Sequence, residues 1–143
     1  ENILTGKYSH LIDVDTWGGS PGEAAHDAFN WMDVEAVYDL KLEKFTNRMK
    51  FKGKTSEFQG SPSQFDFIYI DAEHTAQATY DDAERSWAWL KRDGLLAFDD
   101  YEWYHPSMDP ELSPKPGIER FLEQHKDELE VLEKTSQAWI RKL

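Results

Sequence analysis

The chain is expected to fold as a doubly wound α/β domain with a mostly parallel sheet, closed by an antiparallel hairpin. Three observations predict this. Short apolar runs alternate with stretches of helical periodicity; two of those runs are apolar on both alternating faces; and the last two runs flank a tight polar turn. No repeat, low-complexity tract or linker divides the 143 residues, so a single domain spanning 1–143 is expected.

In chain order, His10–Asp15 (HLIDVD) is a short strand ending in acid, followed by a turn through Gly18, Gly19, Pro21 and Gly22. Val34, Val37, Tyr38, Leu42 and Phe45 recur at helical spacing across about 31–45, and Arg48–Lys52 (RMKFK) reads as a strand stopped at Gly53. Phe65–Ile70 (FDFIYI) is apolar on both faces apart from Asp66, as in a parallel strand covered on both sides, and it ends at Asp71. Thr75 can cap a helix to about Lys91 with Ala76, Tyr80, Ala83, Trp87 and Leu90 on one face. Asp93-Gly94 breaks it before Leu95–Phe98 (LLAF), which runs into Asp99-Asp100. An aromatic, proline-rich loop spans 101–116, and Ile118, Phe121, Leu122 and His125 mark a helix to about Lys126. Glu130–Glu133 and Ala138–Leu143 flank the turn Lys134–Gln137, giving the hairpin.

Composition narrows the function. Twenty-eight acidic residues against 16 basic ones give a formal net charge of −12, which opposes phosphate backbones and anionic membranes and favours a metal ion or a cationic cofactor. With no cysteine, disulfides, thiolate zinc sites and cysteine nucleophiles are excluded together. No apolar run approaches the ~20 residues that span a bilayer, and no signal peptide is visible, so a cytoplasmic protein is expected. The chain opens at Glu1 rather than methionine, which leads us to expect upstream sequence.

Open parallel sheets bind ligands beyond the carboxyl ends of their strands. Three strands here end in acid, at Asp15, Asp71 and Asp99-Asp100. If the strands ending at Asp71 and Asp99 are neighbours, their carboxylates lie about 5 Å apart. Three carboxylates in that space require a counter-charge, and hard oxygen donors select Mg²⁺, Mn²⁺ or Ca²⁺. The competing reading makes each acid a helix cap or turn former. His74, three residues after Asp71, is placed to accept a proton from a substrate hydroxyl; alone it would be an exposed loop histidine. His26, His105 and His125 are given no role. Asp15 can hold both hydroxyls of a ribose, and Ser56-Glu57 can meet an adenine edge or cap a helix.

The stretch FDFIYIDAEHTAQATYDDAERSWAWLKRDGLLAFDDYEW resembles the core of class I S-adenosylmethionine (SAM) methyltransferases. It is most similar to their small metal-dependent branch, which includes catechol and caffeoyl-CoA O-methyltransferases. The likeness extends from HLIDVDTW through KGKTSEF to EVLEKTSQAWIRKL, and its strongest motif pairs IDAEH with FDDYEW. The resemblance implies a Rossmann-like fold, with SAM and a divalent cation, Mg²⁺ above all, as cofactors. It places Asp15 at the SAM ribose, Ser56 and Glu57 beside the adenine, and Asp71, Asp99 and Asp100 on the metal, with Asp71 also counted on the cofactor side. His74 falls where catechol enzymes carry a lysine base. Ala72 stands where many relatives have glycine.

The resemblance also implies a first strand and a glycine-rich loop ahead of the Asp15 strand, whereas only Glu1–Ser9, with Gly6 alone, lie there. ENIL looks like the end of the helix that follows that loop. We therefore expect a fold without its first strand, and unpaired backbone beside the Asp71 strand that further N-terminal sequence or a second copy would cover. The function expected is metal-assisted O-methylation of a small-molecule hydroxyl, with Tyr101, Trp103, Tyr104, Phe29 and Trp31 walling the acceptor or packing the domain edge. The alternatives are a non-catalytic methyltransferase-fold binding domain and a metal-independent methyltransferase.

Overall fold

The computed structural model describes residues 10–20 and 26–143. The helix end expected at 1–4, and Pro21 and Gly22 of the expected turn, lie outside the described residues. The chain forms two compact units, Glu1–Phe58 and Gln59–Leu143.

In the first unit, β1 (Leu11–Asp15) pairs in parallel with β2 (Arg48–Lys52), from Leu11 opposite Arg48 to Asp15 opposite Lys52. Between them runs α1 (Trp31–Leu42), whose N-cap Asn30 accepts from the Met32 N–H at 3.2 Å. The helix stops three residues short of Phe45, whose N–H closes a turn onto the Leu42 carbonyl at 2.9 Å. Alternation along β2 puts Arg48, Lys50 and Lys52 on one face, and there they meet α1. Lys50 lies 2.7 Å from both Glu35 and Asp39, Lys52 is 2.6 Å from Glu35, and Arg48 is 3.4 Å from Asp39. Tyr38 donates to Asp13. Burial and that bond push its hydroxyl pKa up to about 12. Lys50 also sits 4.7 Å from the Trp17 ring centre and Arg48 4.9 Å from that of Tyr38. On the opposite face Phe51 meets Phe58 edge-on at 5.5 Å, and Phe58 alone is buried among the described residues of this unit.

The second unit is a four-stranded sheet in the order β3-β4-β6-β5. It contains β3 (Phe65–Ile70), β4 (Leu90–Phe98), β5 (Leu129–Lys134) and β6 (Ala138–Lys142). β3 and β4 are parallel, whereas β6 runs antiparallel to both β4 and β5. This is the mixed sheet with a terminal hairpin that the sequence predicts.

α2 (Ala76–Trp89) is capped by Thr75, whose hydroxyl accepts from the Ala78 N–H at 3.3 Å. It buries Ala76, Thr79, Tyr80, Ala83, Ser86 and Trp87. It stops at Trp89 rather than Lys91, because Leu90 already pairs with Phe65; Lys142 Nζ takes up the Trp87 and Leu90 carbonyls at 2.7 and 3.1 Å. The Asp93-Gly94 break falls instead inside β4, where Asp93 adopts φ 61° and the register jumps from Leu90 to Leu95. α3 (Pro114–Gln124) opens on a proline, which loses no helical hydrogen bond at that position. It lies so close to the start of α2 that a Cβ on Gly117 would sit 2.1 Å from the Ala76 carbonyl oxygen.

Both helices pack on one face of the sheet. Tyr80, Trp87, Ile118 and Phe121 meet Leu96, Phe98, Ala138 and Ile140 there, with Ile68 and Ile70 at the margin. Phe67, Tyr69, Leu95 and Trp139 occupy the other face and none is buried, although Phe67 stacks on Trp139 at 5.8 Å. The two-sided cover expected for FDFIYI is therefore not supplied within this unit. Among the described residues β3 is an edge strand, pairing only with β4. No helix among them is long and apolar enough to cross a membrane.

Candidate functional site

Ile70 and Phe98 are direct partners at the carboxyl ends of β3 and β4, and the Asp99 N–H donates to the Ile70 carbonyl at 2.9 Å. Asp71 and Asp99-Asp100 therefore leave the sheet side by side. One pocket is lined by Asp71, His74, Asp99 and Asp100 together with Ile70, Ala72, Glu73, Thr79, Phe98 and Pro114.

The two neighbouring acids point to different partners. Asp100 adopts φ 54°, a left-handed conformation that aspartate tolerates better than most residues. Its carbonyl accepts from Trp103 N–H at 2.9 Å, while its Oδ2 lies 3.1 Å from His74 Nε2. His74 is partly covered, its ring 4.6 Å from that of Trp103. Asp99 turns instead toward the β5–β6 hairpin: its Oδ1 accepts from the Asp100 N–H and from Gln137 Nε2, both at 3.0 Å. Burial works to raise the Asp99 pKa, but hydrogen bonds from Tyr69, Gln137 and the Asp100 N–H outweigh it and hold the carboxyl below its ordinary range. Tyr69 is pushed up, by burial first and then by its bond to Asp99.

The geometry suits a cation. Asp71, His74 and Asp100 each offer a ligand atom, and these atoms all lie within 4.8 Å of one another. Asp99 is not in that trio, though it lines the same pocket. Two carboxylates and an imidazole make a donor set that a divalent ion accepts.

The remaining sequence-predicted residues belong to the first unit. Asp15, exposed at the end of β1, accepts from Trp17 N–H at 2.6 Å and so starts a turn. Ser56 is exposed in a single 3-10 turn, Thr55–Glu57, and Glu57 closes that turn by accepting from the Lys54 N–H at 2.8 Å. Of the aromatics expected near the acceptor, Trp103 covers His74, Tyr101 is 5% exposed in the core, and Tyr104 is exposed. His125, given no role, bridges Glu84 at 2.9 Å and Glu128 at 3.2 Å. Sequence reasoning missed Tyr69 and Gln137. Tyr69 reads as one apolar residue of a strand and Gln137 as turn filler; only the register of β3, β4 and β6 brings them to Asp99.

A parallel strand pair with convergent acids at its carboxyl ends is the place where open α/β sheets take their ligands. Residues 2–101 match the family model described as "Methyltransferase domain", and the chain belongs to that family. Solved structures agree on the fold. A Corynebacterium glutamicum protein is 11% identical, with a TM-score of 0.60, over 96% of this chain and 62% of its own. The Podospora anserina methyltransferase PaMTH1, solved bound to S-adenosylhomocysteine (SAH), is 12% identical, with a TM-score of 0.58, over 94% and 71%. An O-methyltransferase family protein from Burkholderia thailandensis is 12% identical, with a TM-score of 0.57, over 94% and 51%. The chain thus spans less than two thirds of the first and third of these. No curated protein matches it.

Proposed function

We propose that this chain serves a SAM-dependent methyltransferase that methylates a small-molecule hydroxyl with the help of a divalent cation. The observation that carries the reading is the convergence of Asp71, His74 and Asp100 in one pocket at the ends of adjacent parallel strands. When bound, SAM supplies an electrophilic methyl group, and the cation supplies positive charge that lowers the acceptor hydroxyl's pKa.

The chain's residues do the rest. Asp71 and Asp100, with Asp99 in the same wall, would hold the cation, and Asp71 would also serve the cofactor; in the first unit, Asp15, Ser56 and Glu57 are the residues we assign to SAM. His74 is the base we assign to the hydroxyl proton, and Asp100, whose Oδ2 lies 3.1 Å from His74 Nε2, would stabilise the imidazolium so formed. Trp103 keeps water from one face of that ring. The acidic pocket and the net charge of −12 favour a neutral or cationic acceptor with adjacent hydroxyls, and disfavour nucleic acid and anionic membranes as partners.

The test is methyl transfer from SAM to a catechol or sugar diol, measured with and without Mg²⁺ or Mn²⁺. His74→Ala is expected to slow turnover by roughly 10²–10⁴-fold with SAM affinity retained. Turnover that survives both EDTA and Asp99→Asn would replace the metal-assisted mechanism with a metal-independent one. SAM binding without turnover on any hydroxyl would leave a binding domain.

A further inference from the structure

We infer that Gln137, in the β5–β6 turn, is a positioning residue for this site: its side-chain amide sets how Asp99 presents its carboxylate to a divalent cation. The inference rests on the metal reading proposed above and extends it to a residue outside the pocket lining.

Both ends of the Gln137 amide are committed. Trp139 Nε1 donates to Gln137 Oε1 at 3.1 Å, which fixes the amide's orientation and turns its nitrogen toward the strand ends. Trp139 is itself stacked on Phe67 at 5.8 Å with 8° between the ring planes. The Gln137 nitrogen then donates twice, to Asp99 Oδ1 at 3.0 Å and to the Tyr69 hydroxyl at 2.7 Å. Tyr69 is hydrogen-bonded to Asp99 in turn, so strand β3, the hairpin and the acid form a closed triangle. The turn is anchored where it matters, since the N–H of Tyr101, next to Asp100, donates to the Ser136 carbonyl at 2.9 Å. With Oδ1 also accepting from the Asp100 N–H, the scaffold sets the plane of the Asp99 carboxylate before any ion arrives. Partners of this kind orient ligating carboxylates, and removing one typically costs about 10–100-fold in metal affinity.

Titration of the full chain with Mn²⁺ alone, followed by the electron paramagnetic resonance of free Mn²⁺, tests the assignment. Gln137→Ala is expected to weaken binding about 10-fold with near-ultraviolet circular dichroism unchanged. The same substitution in an Asp99→Asn background is expected to change nothing further. Tyr69→Phe, which removes one corner of the triangle from a different strand, gives a smaller loss of the same sign and serves if Gln137→Ala does not fold. Mn²⁺ affinity equal to the parent's in Gln137→Ala, or a loss that persists without Asp99, overturns the positioning role alone. A parent chain that does not bind Mn²⁺ overturns the metal reading and this role with it.

Discussion

Helices α1 and α2 each turn a regular stripe toward a parallel strand pair, and the stripes are built from opposite materials. The covered stripe of α2 is Ala76, Thr79, Tyr80, Ala83, Ser86 and Trp87, all buried against a core that includes the fully buried Phe98, Phe121 and Ile140. On α1 the partly covered positions are Trp31, Val34, Glu35, Tyr38, Asp39 and Leu42, none of them buried, and their strongest partners are Arg48, Lys50 and Lys52. Helical spacing is satisfied in both. What differs is the force: area removed from water for α2, charge complementarity for α1. The lesson is that periodicity specifies which side of a helix faces inward, while residue chemistry specifies how that contact responds to solvent.

The largest effect expected from this contrast is in the apolar unit. Phe121 is fully buried and packs against Trp87, Phe98 and His125. Phe121→Ala should cost about 3–5 kcal/mol in urea denaturation, with amide protection lost across α2, α3 and β4. Equal loss in α1 would show that the two units unfold as one.

A smaller, selective effect is expected in acid. Glu35 is held below the ordinary carboxylate range by hydrogen bonds from Lys50 and then Lys52, and Asp39 by its hydrogen bond from Lys50 against the opposing pull of burial. Because the folded values are depressed, the stabilisation is present above the unfolded-chain values and is lost as pH falls through the folded ones. Below about pH 4, hydrogen exchange in α1 and β2 should accelerate before that in α2. Protection of α1 that persists after these carboxylates protonate would assign its stability to apolar packing instead.

The smallest effect is that of salt. At about 1 M ionic strength, screening extends only ~3 Å, so exchange in α1 should rise modestly while the core around Phe98 is indifferent. A salt response of equal size in both units would remove the distinction.

Much of the fold was legible from residues alone, because apolar runs and caps are local signals. The runs at 11–15, 65–70 and 138–142, the Thr75 cap and the inward stripe of α2 all stand where the sequence predicts. Sequence reading erred where a distant partner decides. Val37, one of the apolar residues that mark the helix by their spacing, is 49% exposed, while Glu35 and Asp39 are the side chains that meet the basic residues of β2. Leu90 leaves its helix for the sheet because Phe65 offers a backbone partner.

The site divides in the same way. Sequence by itself determined that Asp71 and Asp99-Asp100 stand at strand ends, since each follows an apolar run directly and a strand's end is a local property; that the two strands are neighbours was a condition there, and the β3–β4 pairing met it. Only the tertiary structure decided that Asp100 turns to His74 while Asp99 turns to Gln137 and Tyr69. That choice depends on the left-handed turn at Asp100 and on the register of a hairpin some forty residues away. The direction of a side chain at a strand end is set by whichever donors the sheet brings beside it, and those donors are neighbours in space alone.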